Sequence, residues 1–199
     1  MPEVNLDKVS TRKTARVIVV RGAPGVGKTT VAKKIRAMLK TRKKAHISID
    51  QLQECDLRGP SKDKMKLGIY HAALMVRSFV REGFDVIVDY VFDIPSDLEF
   101  FVENVFRSHS GPVAPTFVQV FYLDAPYETV RRRNTERALV MNEGLLKKLH
   151  KACDKTKSCL VGETIIDTAT LSPINTARAI VNQCQGLSSP GKKSHIQVD

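Results

Sequence analysis

Eight consecutive residues, Gly22-Ala23-Pro24-Gly25-Val26-Gly27-Lys28-Thr29, satisfy every fixed position of the pattern G-x-x-x-x-G-K-[ST]. These residue types in this order suit the binding of a nucleoside triphosphate. Gly22, Gly25 and Gly27 let the backbone turn sharply and aim N–H groups inward at an anion, while Ala23, Pro24 and Val26 complete the loop. Lys28 can reach the β- and γ-phosphates, and the Thr29 hydroxyl can hold Mg²⁺. Thr30 carries the run into a helix whose positive end faces the phosphates. ATP and Mg²⁺ are therefore the expected ligands.

Phosphoryl transfer to an alcohol also needs a base beside the hydroxyl and cations on the migrating group. Asp50 is the candidate base, with a cap of the following turn as its structural alternative. Asp89 can orient an acceptor or hold a Mg²⁺-bound water, so Thr29 and Asp89 form the candidate metal pair. Arg133 and Arg137 are four residues apart and are expected on one helix face, aimed either at the phosphates or at solvent. Lys28, Asp50, Arg133 and Arg137 make up the candidate catalytic set.

The flanking patterns supply the elements to position them. Arg16 to Val20 ends in a β-branched run that reads as a buried parallel strand, and Val31, Ile35, Met38 and Leu39 give the helix after the loop an apolar face. Ala45–Ile49 reads as strand two, running into Asp50, and Val86–Val88 as strand three, running into Asp89. Between them Lys62 to Glu82 has the period of a long amphipathic helix, closed by Gly83. Ser96-Asp97-Leu98-Glu99 matches a capping box for a helix to about Ser108. Phe117–Leu123 is the expected fourth strand, and Pro126 the expected first residue of the next helix. Arg131 to Met141 reads as a basic stretch between helices, after which Asn142 caps a helix to about Lys155. Thr164–Ile166 and a helix from Ser172-Pro173 to about Gln183 end the structured part. Alternating strands and helices predict a parallel sheet covered on both faces. Ligands of such sheets sit beyond the carboxyl ends of the strands, where the loop, Asp50 and Asp89 all fall.

The 199 residues suit one domain, at about 16–185, between a polar lead (1–15) and a Ser/Gly/Lys tail (186–199). No apolar run approaches the roughly 20 residues that span a bilayer, and the first 16 residues lack the apolar core of a secretory signal. Four cysteines without a C-x-x-C pair and five histidines without ligand spacing argue against zinc and for reduced thiols in the cytoplasm. The net charge of +11 leaves a nucleic-acid surface open, but residues 31–44 hold seven of the cations and no acid, which reads first as a solvated helix face and end.

A GTPase would need N-K-x-D, which is absent, and Asp56-Leu57-Arg58-Gly59 follows no strand directly. The chain resembles the kinases grouped around chloramphenicol phosphotransferase, zeta-type toxins and polynucleotide 5′-kinases, over about Val17 to Ile180. Ile49–Glu54 and Val86–Phe92 are similar to segments of the first; Leu123–Tyr127 with Arg133–Arg137 resembles the strand four and lid of the last. Ile166-Asp167-Thr168 with Ser172-Pro173 resembles the shared adenine-side loop. The resemblance implies a three-layer α/β P-loop kinase fold, with a five-stranded parallel sheet ordered 2-3-1-4-5 and a helical lid at about 131–142. Gln53 stands where polynucleotide kinases tend to carry a phosphate-binding arginine, and Ala138 where they tend to carry glycine. The expected acceptor is thus a hydroxyl of a small molecule rather than a nucleic-acid end. A nucleotide-binding regulatory protein with little catalysis would be expected to lose the lysine or the base, and Lys28 and Asp50 are both present.

Overall fold

The structure is a computed structural model that describes residues 14–52, 62–107, 114–137, 139–158 and 162–186. Five strands form one parallel sheet: β1 (Thr14–Arg21), β2 (Lys44–Ser48), β3 (Asp85–Asp89), β4 (Ala114–Asp124) and β5 (Thr164–Asp167), in the order β2-β3-β1-β4-β5. The helices are α1 (Lys28–Met38), α2 (Ile49–Leu52), α3 (Lys62–Arg81), α4 (Pro95–Phe106), α5 (Tyr127–Thr135), α6 (Glu143–Lys155) and α7 (Pro173–Gly186). The expected fold class and strand order are the observed ones.

The β-branched runs of β1 and β3 are apolar at every position because both faces are covered. Val17 and Val19 pack with Val86 and Val88 against α3 and α4, whereas Ile18, Val20 and Ile87 belong to the second core, with α1, α6 and α7. This double burial fixes the register Val17↔Val86 to Val20↔Asp89, so the ends of β1 and β3 lie side by side.

Several boundaries differ from expectation. β1 begins at Thr14, inside the expected lead, because Thr14 and Ala15 already pair with Ala114 and Pro115 of β4. β2 stops at Ser48, and Asp50 sits in the single turn of α2. The capping box at Ser96 does not form: Pro95, with its preset φ and no N–H to satisfy, starts α4 one residue earlier, and no side chain caps it. Pro126 precedes α5 as its N-cap rather than opening it, and α5 continues through Arg131–Thr135, so the basic stretch is in part helix. Asn142 does cap α6, accepting from the Leu145 N–H at 3.2 Å, and Gly83 closes α3 at φ 75° with Phe84 N–H bonded to Phe79 O. The basic run after α1 is also in use: Lys44 Nζ donates to Leu39 O at the end of α1, and Lys43 Nζ to Glu82 O just past α3. Residues 1–13 and 187–199, with Gln53, the 56–59 segment and Ala138, lie outside the described residues. Among the described residues no helix is long and apolar enough to cross a membrane.

Candidate active site

The loop from Gly22 to Gly27 joins β1 to α1 in a conformation its sequence dictates. Gly22 has φ 136°, and a Cβ there would stand 2.4 Å from the backbone oxygen of Leu123. Gly27, at φ 99°, is the N-cap of α1. No side chain caps α1 and its first turn holds no acid, so its leading N–H groups face the loop as an anion site.

Lys28 is only 9% exposed; its ammonium folds back onto the loop, donating to Gly22 O at 2.9 Å and Ala23 O at 3.1 Å. Burial lowers its pKa, opposed chiefly by the negative charge of Asp50. The Thr29 hydroxyl donates to Asp89 Oδ2 at 2.7 Å, and Asp89 is fully buried. That bond uses the one hydroxyl proton and leaves the Thr29 oxygen lone pairs for a cation. Oxygen donors of this kind fit Mg²⁺. Among the described residues no group of three or more His, Cys, Asp or Glu side chains could cage a metal alone, so such an ion would take its remaining ligands from the nucleotide and water.

Asp50 is an exposed residue, yet protein atoms crowd its carboxyl, and this desolvation raises its pKa; the Lys28 ammonium pulls the other way and Asp89 adds to the rise. Asp50, Lys28, Thr29 and Arg137 line one cavity of about 260 Å³, completed by Val91, Met141 and Leu149. A second cavity, of about 340 Å³, lies on the far side of the loop against Thr30, Val31, Arg133, Thr168, Leu171 and Thr176. Arg137 borders both.

The two arginines do not share a helix face. Arg133 is in the last turn of α5, while Arg137 lies beyond its C-cap Glu136, in a turn closed by Arg137 N–H to Asn134 O. Arg133 donates to Thr168 O at 2.7 Å, which places it toward the second cavity. Thr168 in turn bonds Asp124 O through both its N–H and hydroxyl, tying the ends of β4 and β5. Sequence reasoning missed two further residues. Arg21, 1% exposed, bonds Glu163, Thr156 and the Phe92 carbonyl, and His46 bonds Asp89. An arginine ending an apolar strand is the one signal that marked the first.

A family model fits this layout over residues 17–155, under the description AAA domain. The chain belongs to the AAA domain family. No curated protein matches the sequence. Solved structures similar to this AAA domain include a gluconokinase from Sinorhizobium meliloti 1021, at 17% identity and TM-score 0.66, covering 89% of this chain and 98% of that one. A sugar kinase from Janibacter sp. HTCC2649 has 16% identity and TM-score 0.67, covering 86% and 95%. A chain of the Pnkp1/Rnl/Hen1 RNA repair complex has 16% identity and TM-score 0.58, covering 76% of this AAA domain but 48% of that chain. At these identities the likeness establishes the P-loop kinase fold.

Proposed function

We propose that the protein is an ATP-dependent kinase that transfers the γ-phosphoryl group to a hydroxyl of a small molecule. The observation that carries this reading is the 260 Å³ cavity joining Asp50 to Lys28, Thr29 and Arg137. A base, a phosphate cation, a metal-binding hydroxyl and an exposed cation meet there around a volume suited to a small acceptor. Asp50 takes the proton as the acceptor oxygen forms its bond to the γ-phosphorus and the bond to the β-phosphate oxygen breaks. A raised pKa makes Asp50 a stronger base than an ordinary aspartate. Lys28 leaves the Gly22 and Ala23 carbonyls for the phosphates, and Arg137 balances charge on the migrating group. Thr29 and Asp89 would hold Mg²⁺, which neutralises the phosphate oxygens when bound. Arg133 and the Thr168 loop line the second cavity, the side expected for the adenine. Val91, Met141 and Leu149 form an apolar wall beside Asp50, which suits a neutral acceptor better than a polyanion.

A polynucleotide 5′-hydroxyl kinase is the second reading, favoured by the exposed cations Lys33, Arg36, Lys40 and Arg42. γ-Labelled ATP offered with small alcohols, sugars, nucleosides and 5′-hydroxyl oligonucleotides separates the two by which product carries label. Asp50→Asn tests the base: transfer should fall by roughly 10²–10⁴-fold with ATP binding retained. In the wild type the acid limb of kcat/KM should lie above the ordinary aspartate range, because the protonated, inactive form persists to higher pH. Transfer in Asp50→Asn within a few-fold of wild type would move the base role to another group.

A further inference from the structure

We infer that His46 is a positioning residue for the metal: it locks the Asp89 carboxylate, and Asp89 in turn orients the Thr29 hydroxyl. The inference rests on the reading that Thr29 and Asp89 serve the nucleotide's Mg²⁺.

Asp89 has no exposure to solvent, so its oxygens must find partners inside the protein. Oδ2 accepts from Thr29 Oγ1 at 2.7 Å and, more weakly, from Ser48 Oγ at 3.5 Å. Oδ1 pairs with His46 Nε2 at 2.5 Å. An ionised carboxylate only accepts, so Nε2 carries the proton and donates. The sheet builds this contact. Ser48 pairs directly with Asp89, and His46, two residues back on β2, presents its ring on the same face and reaches Asp89 diagonally. The His46 side chain is 10% exposed, so its ring is held rather than free.

The consequence follows from proton counting. Thr29 offers lone pairs to a cation only while its single proton points at Asp89. If Oδ1 loses its donor, the carboxylate is free to rotate about its terminal torsion, which is broad and nearly two-fold. Thr29 then loses its fixed acceptor, and the hydroxyl proton is no longer kept out of the metal's side. Partners of metal ligands at this remove typically contribute about 10–100-fold to metal affinity.

Mn²⁺ affinity of the full chain with a non-hydrolysable ATP analogue, read by electron paramagnetic resonance, tests the inference. His46→Leu should weaken Mn²⁺ binding by about 10-fold, the low end of that range because the phosphates supply other ligands. Affinity for the analogue without metal should stay unchanged, and His46→Gln, which keeps an N–H at similar reach, should restore most of the loss. A purely structural histidine would lower the thermal midpoint without moving Mn²⁺ affinity. Wild-type Mn²⁺ binding in folded His46→Leu overturns the inference, as does an equal loss in His46→Gln. If His46→Leu does not fold, His46→Asn, whose amide falls short of Oδ1, carries the same expectation. Thr29→Ala and Asp89→Asn separate the two levels. If they leave Mn²⁺ affinity intact, the metal site itself is misassigned; if they weaken it and the His46 variants do not, only the role of His46 fails.

Discussion

The two sides of the sheet's carboxyl edge are built differently. On the side formed by β2, β3 and β1, the groups at the strand ends are held, with Asp50 the exposed exception: Lys28 by two carbonyls, Asp89 by three side chains, Gly22 against Leu123. On the α5–α6 side, Arg137 is exposed, and Leu139 and Val140 stand 89% and 61% exposed. At the base of that segment the Asn134 side chain bonds both the carbonyl and the N–H of Met141, and Arg131 pairs with Glu143 across α5 and α6. A phosphate cradle must be in place before its ligand arrives, since fixed donors cost no reorganisation during the reaction. Elements that move are drawn from the least-packed parts of a fold, and the proposed lid falls in such a part.

The largest expected effect tests the held side. Lys28→Ala should reduce transfer by roughly 10²–10³-fold and weaken nucleotide binding, as loss of a donor to developing charge does elsewhere. Unchanged turnover would remove the phosphate-loop assignment.

Two glycines in the same loop sharpen the point. Gly22→Ala drives a methyl to 2.4 Å from a backbone oxygen and also strains φ, so it should destabilise the fold by about 3 kcal/mol. Gly27→Ala meets nothing within 4 Å and pays only for the left-handed backbone, about 1–2 kcal/mol. Urea midpoints measure the gap; equal losses would mean that close approach to Leu123 does not matter.

The loose side should respond less. Arg137→Lys keeps the charge but loses the planar fork, and a hydrogen bond to a charged group is worth about 1.5–3 kcal/mol, so transfer should drop roughly 10- to 100-fold. Arg133→Lys should do less to transfer and more to nucleotide affinity, because Arg133 is already committed to Thr168 O. The reverse ranking would exchange the two roles.

This asymmetry also decided what could be read in the sequence. The held side depends on local chemistry: a loop of fixed glycines, β-branched strands, an aspartate closing β3. Those are legible because one residue type at one place does each job. Asp50 lies beside Lys28 but in the turn of α2 rather than at a strand end, since nothing in Ile49-Asp50-Gln51-Leu52 distinguishes a strand end from a single helical turn. Arg133 and Arg137 were expected on one face because spacing carries no sign of where a helix stops; α5 ends at Thr135, and a turn brings Arg137 to the loop instead. The pairings of His46 and Arg21 were illegible because their partners, Asp89 and Glu163, lie 43 and 142 residues away and the fold alone brings them together.

The smallest expected effect concerns the acceptor. The exposed cations here occupy positions 33 and 36 of α1 and position 40 just past its end, on a helix that starts at the loop and runs away from it at about 1.5 Å per residue. Arg36 therefore lies about 12 Å along the axis from Lys28, beyond the Debye length of about 10 Å at 0.1 M salt, while Lys33, at about 7.5 Å, lies within it. Around Asp50 the cavity wall is instead Val91, Met141 and Leu149, with Arg137 as its exposed cation. A small neutral acceptor bound there should show a KM almost indifferent to salt, while the KM for ATP, whose phosphates are proposed to sit on Lys28 and the α1 N-terminus, should rise with it. A polynucleotide acceptor reaching the α1 cations would behave in the opposite way. Each phosphate contact releases counterions, and six to ten contacts lose roughly 10³–10⁵ in affinity between about 50 and 200 mM salt. Acceptor KM measured across that range, beside ATP KM in the same assays, decides between them. A steep salt dependence for a 5′-hydroxyl oligonucleotide, with no transfer to any small alcohol, would assign the acceptor to nucleic acid and make the basic face of α1 part of the site.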